Sequence, residues 1–365
     1  MQALALSAAR VTLAGPALPP FAIPLPEPSM KAVAYRHPLP IDDPLSMIDV
    51  DLPEPSAPTG RDLLVRVHAV SVNPVDTKIR RNVDPAGADK VLGWDAAGIV
   101  VAVGPEAGLF EPGDAVCYAG AIDRSGSNAQ LQLVDERIVG RKPATLDFAQ
   151  AAALPLTTIT AWELLFERFG VARGAEGGTL LIVGAAGGVG SMALQLARKL
   201  TGLTVIGTAS REETQAWVRE LGAHHVVDHR GNLIEQVRAV APQGVDYAMS
   251  LTHTAQHYPA LVELLRPQGK LGLIDDPATP IDIIALKRKS LSLHWEFMYT
   301  RSLFQTPDML GQHHLLNEVA DLIDAGVLRG TLRENLGRID AANLRRAHAQ
   351  LESGSTIGKL VLEGF

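Results

Sequence analysis

The chain has 365 residues, 47% apolar and 20% charged, with 33 basic against 40 acidic side chains and a formal charge of -7. That length exceeds one ordinary core and predicts two domains, while the composition excludes a disordered or fibrous chain. The charge is spread without a long Lys/Arg block, so neither nucleic acid nor an anionic membrane is an expected partner.

Cys117 is the single cysteine, which excludes a disulfide framework and a Cys-rich zinc site and fits a reducing cytoplasm. No run approaches the roughly 18 uninterrupted apolar residues that span a bilayer. Residues 1–29 are rich in Ala, Leu and Pro, hold a lone Arg10 and end in LPPFAIPLPEPS. Such prolines neither pair in a central strand nor continue a helix, and the basic start of a secretory signal is absent. The reading is a disordered extension, with a targeting segment as the alternative, and a folded part that begins at Met30.

From MKAVAYR through DLLVRVHAVSVNPVDTK, AAGIVVAVG, PGDAVCYAG and NAQLQLVDERIVG, short β-branched runs alternate with Gly, Pro and Asp turns, the pattern of an all-β unit. At DFAQAAALPLTTITAWELLFERFG the period turns helical behind a capping-type Asp147. This sets a boundary between a β-rich unit over 30–155 and a second unit over 156–330. The second unit alternates apolar strands (TLLIVGA, LTVIGTAS, HHVVDH, VDYAMSL, GKLGLID, LSLHWEFMY) with helices (GSMALQLARKL, REETQAWVRELG, NLIEQVRAVAP, YPALVELLRPQG). Such alternation predicts a doubly wound parallel sheet covered on both faces. The tail over 331–365, a helix then a strand, is expected to complete the β-rich unit.

The strongest local signal is LLIVGAAGGVGSMALQLA, a strand, a glycine-rich turn and a helix. Glycines let the backbone approach a pyrophosphate, and the helix start favours its charge. In register with G-x-G-x-x-G the positions are Ala185, Gly187 and Gly190, which makes Ala186, Gly187, Gly188, Val189 and Gly190 the candidate phosphate cradle. A tight helix–strand packing turn is the bland alternative. An NAD site places an acid at the end of the next strand; Ser210 and Arg211 stand there instead, a hydroxyl and a guanidinium suited to the 2′-phosphate of NADPH. Ser210 can equally be a cap for a helix beginning at Arg211.

NPVD, GWDAAGIVVAVG, PGDAV, ALPLTTITAW, AAGGVGS and a final GKLVL together resemble the medium-chain dehydrogenase/reductase superfamily. Within it the chain is similar to the zinc-independent quinone-oxidoreductase branch and to a bacterial group called zinc-type alcohol dehydrogenase-like. The resemblance implies an α/β fold: a GroES-like β-rich catalytic domain plus a Rossmann doubly wound parallel-sheet cofactor domain, with the active site between them. The catalytic zinc positions of the superfamily match Asn73, Trp94 and Leu156. An indole and an isobutyl group cannot ligate zinc and a carboxamide does so poorly, so no metal is expected.

Without a Lewis acid to stabilise an alkoxide, the easier reaction is hydride addition from NADPH to an acceptor activated by conjugation, a quinone or an α,β-unsaturated carbonyl. A zinc alcohol dehydrogenase with non-standard ligands, or a non-enzymatic NADPH-binding redox sensor, are the alternatives. By the same resemblance Asn73 positions substrate or ribose and Thr160 packs on the nicotinamide. The bland alternatives are an Asn-Pro turn and a helix hydroxyl, and Asp76 is read as an orienting residue. His229, Leu251, Thr252, Ile274, Asp275 and Phe297 follow successive strands at the ligand-binding end of the sheet. Asp275 either bonds the carboxamide or starts the DDP turn. Relatives pair the strand LHWEFMY between subunits, so a homodimer is implied. Cys117 and the pairs His224–His225 and His313–His314 are read as structural.

Overall fold

The computed structural model describes residues 28–174 and 176–365. The extension expected over 1–29 therefore lies outside the described residues except for Pro28 and Ser29, and Ser29 already opens the first strand.

The β-rich part contains β1 (Ser29–Tyr35), β2 (Ile48–Pro53), β3 (Asp62–Val72), β4 (Lys90–Val91), β5 (Ala96–Val103), β6 (Ala115–Tyr118), β7 (Leu131–Asp135) and β8 (Val139–Arg141). In β3 the alternation of DLLVRVHAVSV buries Leu63, Val65 and Val67 and turns Arg66 to solvent, as a strand with one covered face requires. Between β3 and β4 lies α1 (Pro74–Asn82), with proline in its first turn and Asn73 as its N-cap.

The link is α2 (Phe148–Ala152), capped by the Asp147 side chain, then α3 (Pro155–Trp162) and a π-helical turn over Glu163–Arg168. Next come β9 (Glu176–Val183), α4 (Gly188–Leu200), β10 (Gly202–Thr208), α5 (Glu212–Glu220), β11 (His225–Val227), α6 (Leu233–Val240), β12 (Val245–Ser250), α7 (Thr254–Leu264), β13 (Leu265–Leu273) and β14 (Ser292–Trp295). The strands form one six-stranded sheet in the order β11-β10-β9-β12-β13-β14, every pair parallel. Counted from β9 that is the 3-2-1-4-5-6 order of the dinucleotide-binding fold. In β9, Leu180 and Ile182 enter one core while Leu181 and Val183 enter another, which explains its unbroken apolar run.

The chain ends with α8 (Thr300–Phe304), α9 (Gly311–Asp324), β15 (Leu332–Asn335), α10 (Ala341–Glu352) and β16 (Lys359–Glu363). β16 pairs antiparallel with β3 and parallel with β15, so the tail returns to the β-rich sheet.

Three local expectations are corrected. The helix read from YPALVELLRPQG begins earlier, at Thr254, and gives way to β13 at Leu265, because the Asp275 carboxylate accepts the Thr254 N–H at 3.1 Å. The strand read through Tyr299 stops at Trp295. There Glu296 turns inward to pair with Arg168 at 2.9 Å. The helix expected from Arg211 starts at Glu212, with Arg211 as its N-cap.

Candidate active site

The glycine-rich turn joins β9 to α4. Its left-handed residue is Gly184, φ 82°, so the tight turn lies one position before the register that put Ala185 there. A Cβ on Gly190 would sit 2.5 Å from the Gly184 carbonyl oxygen and 2.6 Å from Ala185 Cα, so this glycine lets α4 close onto the strand. Gly187 would meet nothing nearer than 3.5 Å, and Ala186, Gly187, Gly188 and Val189 are half-buried with their backbone at the helix start. An open cradle at the start of a 13-residue helix fits a dinucleotide pyrophosphate.

The other expected cofactor residues share the same C-terminal rim of the sheet. Gly184 sits against Leu251 and Thr252 after β12, the point where the strand order reverses. Ser210, after β10, has a hydroxyl that bonds to no other described residue, so it does not cap α5. Its carbonyl accepts from Arg230, which also pairs with Asp228 at 2.9 Å. The Arg211 guanidinium bonds to the Ser355 carbonyl. Two guanidiniums therefore flank Ser210, and the second escaped sequence reading because it follows β11 rather than β10.

His229, after β11, has a buried Nδ1 without a partner and meets His257 edge-to-face at 5.9 Å. Burial first, then neighbouring cations, pulls its pKa down. Ile274 packs on the core. Both Asp275 oxygens are engaged by Thr254, which makes Asp275 a helix-start residue. Phe297 is 46% exposed and reaches Tyr299 rather than the glycine turn.

Across the junction, the β-rich part contributes a buried polar cluster. The Asn73 N–H donates to Asp76 Oδ2 at 2.6 Å and its Nδ2 to Asp95 Oδ2 at 2.9 Å. Lys359, from β16, donates to Asn73 Oδ1, to Asp95 Oδ2 at 3.0 Å and to the Val72 carbonyl at 3.2 Å. Asp95 Oδ1 accepts the Leu156 N–H at 2.8 Å. Burial raises both carboxyls, Asp76 to about 7, against the pull of Asn73 and Lys359; the Asp95 charge pushes Asp76 further up.

The stem of Lys359 and the Thr157 methyl close on Gly188, at 2.9 and 2.8 Å from where a Cβ would stand. Gly358 donates to the Ala186 carbonyl at 2.9 Å. Lys359 thus ties the polar cluster to the cradle. Thr160, by contrast, gives its hydroxyl to the Leu156 carbonyl at 2.8 Å, and Thr157 is the threonine that touches the turn.

The positions matching zinc ligands do not fit a metal. Both Asn73 side-chain atoms already bond to Asp95 and Lys359, and a carboxamide is a poor zinc ligand. Trp94 is buried, its Nε1 donating to the Ala121 carbonyl at 3.1 Å, and Leu156 carries no donor atom. Among the described residues no group of three or more His, Cys, Asp or Glu could hold a metal ion. Cys117 is buried with its thiol pushed up to about 12, and His224 and His313 bond to backbone. A 630 Å³ groove beside Arg66, His68 and Phe148 lies elsewhere on the β-rich part.

Residues 59–147 match the alcohol dehydrogenase GroES-like domain, and residues 221–362 match the zinc-binding dehydrogenase family. A zinc-type alcohol dehydrogenase-like protein of Staphylococcus aureus (strain MSSA476) is 40% identical over 336 residues, 91% of this chain and 99% of that protein. The quinone oxidoreductase of Homo sapiens is 32% identical over 318 residues, 84% of this chain and 90% of that one. The structure of mycobacterial Rv1454c complexed with NADPH superposes with a TM-score of 0.79 at 28% identity, over 92% of this chain and all of that chain, 100%. The chain belongs to the medium-chain dehydrogenase/reductase superfamily, in its quinone-oxidoreductase-like branch, and is an oxidoreductase with a GroES-like and a Rossmann-like domain.

Proposed function

We propose that this chain is an NADPH-dependent, metal-independent reductase that adds hydride to a quinone or an α,β-unsaturated carbonyl. The reaction takes place between a catalytic unit, 30–155 completed by 331–365, and a cofactor unit, 156–330. The observation that carries this reading is the fate of the zinc positions: Asn73 locked by Lys359 and Asp95, Trp94 buried as packing, and Leu156 without a donor atom.

NADPH, when bound, supplies the hydride. Ala186 to Gly190 hold its pyrophosphate at the start of α4, with Leu251, Thr252, Ile274 and Phe297 lining the rim beside it. Ser210 and Arg211, with Arg230 beside them, take the 2′-phosphate, and His229 faces the adenosine. Asn73, fixed by three partners, orients the nicotinamide end, and the helix carrying Thr157 and Thr160 forms its wall. Thr254 holds Asp275, which shapes this rim without contacting the ring. The preorganised junction aligns donor and acceptor, which is most of what hydride transfer asks of a protein. A lone buried Cys117 supports a cytoplasmic setting, and the exposed Trp295 on β14 supports a homodimer.

The test is reduced-nicotinamide oxidation by chelator-treated protein, comparing NADPH with NADH against one quinone and one enal. The expected result is turnover that prefers NADPH by about 10-fold or more, as loss of a charge-assisted phosphate contact implies, and that survives the chelator. Activity lost to the chelator and restored by zinc would overturn the metal-free reading.

A further inference from the structure

Tyr299 follows the end of β14, at the same rim as the cofactor-unit residues, and is only 2% exposed. Its ring meets Trp94 edge-on at 6.4 Å and Phe297 at 5.3 Å. The Tyr299 hydroxyl is buried and bonds to no described residue; Oδ1 of Asp76 makes no well-formed hydrogen bond, and the Gly93 backbone N–H is the donor beside that carboxyl. Asp76 belongs to α1 of the catalytic unit and Tyr299 to the cofactor unit, so these two open polar atoms stand on opposite sides of one junction. Buried polar atoms are nearly always hydrogen-bonded, and an exception calls for a partner such as a water, an ion or a ligand atom.

We propose that Tyr299 is the proton donor of the reaction, its O–H directed at the carbonyl oxygen of a conjugated acceptor, with Asp76 resupplying the proton. This rests on the reading of the chain as a reductase of such acceptors. In an enone the β-carbon accepts hydride from the reduced nicotinamide, and the C=C π pair shifts to give the enolate. The Tyr299 O–H bond breaks as its proton joins the enolate oxygen, and the enol then tautomerises to the ketone. Once the product leaves, water entering its place carries a proton from the Asp76 carboxyl to the phenol and resupplies Asp76 in turn. The enone gains two electrons and two hydrogens, and the nicotinamide is oxidised.

Burial, then the charges of Asp76 and Asp95, raises the Tyr299 pKa well above its ordinary range, so the phenol keeps its proton in the resting protein and, as the weaker acid, releases it only in exchange for the proton that Asp76 returns. Asp76, raised to about 7 against the pull of Asn73 and Lys359, carries a proton to give near neutrality. The net movement, from carboxyl through phenol to enolate, runs from the stronger acid to the weaker.

The experiment uses the full-length protein saturated with NADP+, which has no hydride to give, and follows tryptophan fluorescence as 2-cyclohexenone is added. Trp94 against Tyr299 is the reporter. Tyr299→Phe removes a hydroxyl that has no partner, so the variant folds with an unchanged melting temperature. It is expected to bind 2-cyclohexenone about 5- to 10-fold more weakly, the loss of one hydrogen bond, and to bind 1-methylcyclohexene as the wild type does.

With NADPH, kcat for 2-cyclohexenone falls about 100-fold, as for loss of a general acid. Asp76→Asn keeps the binding preference for the carbonyl but loses the decline of kcat as pH rises through about 7. Wild-type binding and turnover by Tyr299→Phe would overturn the proposal, and so would equal weakening for both ligands, which would make Tyr299 packing. A wild type that prefers the carbonyl ligand through Tyr299 yet reduces no conjugated acceptor would overturn the reductase reading, and the proton step with it.

Discussion

Asp76 is a carboxyl that folding makes a weaker acid. Its Oδ2 accepts the Asn73 N–H, but complete burial outweighs that bond and the Lys359 charge, and the group titrates near 7 instead of 3.8. A group whose folded pKa is raised favours the native state most below its unfolded pKa, and that contribution is lost as pH rises through the folded value. Between pH 4 and 7 the wild type should therefore lose stability relative to Asp76→Asn, which keeps an acceptor for Asn73 but cannot ionise. The ceiling is ~4 kcal/mol for a shift of this size, read as the difference in urea unfolding free energy between the two proteins at each pH. A flat difference across the range would show that Asp76 titrates normally.

The sequence made Asn73 legible as an Asn-Pro turn residue, which the structure turns into the N-cap of α1, and Trp94 as a non-ligand, because both sit in local motifs. Lys359 was not legible, and Tyr299 only in part. Lys359 lies 286 residues from its Asn73 partner, and only strand pairing between β16 and β3 brings it in. Its one signal was a lysine inside the apolar run GKLVL. Tyr299, with Trp295, read equally as lining an aromatic pocket or as covering an interface strand, since nothing local announces that β14 ends at Trp295 and turns the tyrosine inward.

At the scale of elements, the turn from β9 into α4 separates two uses of glycine. Gly190 has backbone atoms of Gly184 and Ala185 within 2.6 Å of an added Cβ, whereas Gly187 has an ordinary φ of −74° and open space. Gly190→Ala must therefore push α4 off the sheet, at a cost of about 1–3 kcal/mol as overpacking. Gly187→Ala should leave the melting temperature unchanged and weaken NADPH binding by ~10-fold, the equivalent of about 1.4 kcal/mol, through steric exclusion of the pyrophosphate. Thermal unfolding and fluorescence titration of both variants separate the two effects; Gly187→Ala binding NADPH normally would remove the cradle from the proposed site. The motif gave the element, a strand, a tight turn and a helix, yet its register placed the turn at Ala185. A spacing pattern counts residues, whereas the turn is decided by which residue takes positive φ, and that is Gly184.

For the whole molecule, the notable feature is how the second sheet ends. β14 is its last strand, bonded only to β13 among the described strands, and Trp295 at its end is 50% exposed, with Phe297 at 46% and Phe304 at 71%. Such an edge, with unpaired backbone groups beside exposed aromatics, favours pairing with another chain. No proline blunts SLHW, and its side chains carry no fixed charge. The pairing that closes without growing into a fibre is a twofold one, edge to edge, in which each β14 meets its own copy. We expect a dimer whose two six-stranded sheets run into one.

Trp295→Lys puts two like charges near the twofold axis and should shift the protein to monomer at micromolar concentration, read by analytical ultracentrifugation. Because Phe297 and Tyr299 follow directly on that strand, the monomer should also lose carbonyl-ligand affinity. A monomeric Trp295→Lys that binds 2-cyclohexenone like the wild type would mean the strand is a dimer edge alone, whereas a variant that remains dimeric would place the subunit contact on another face.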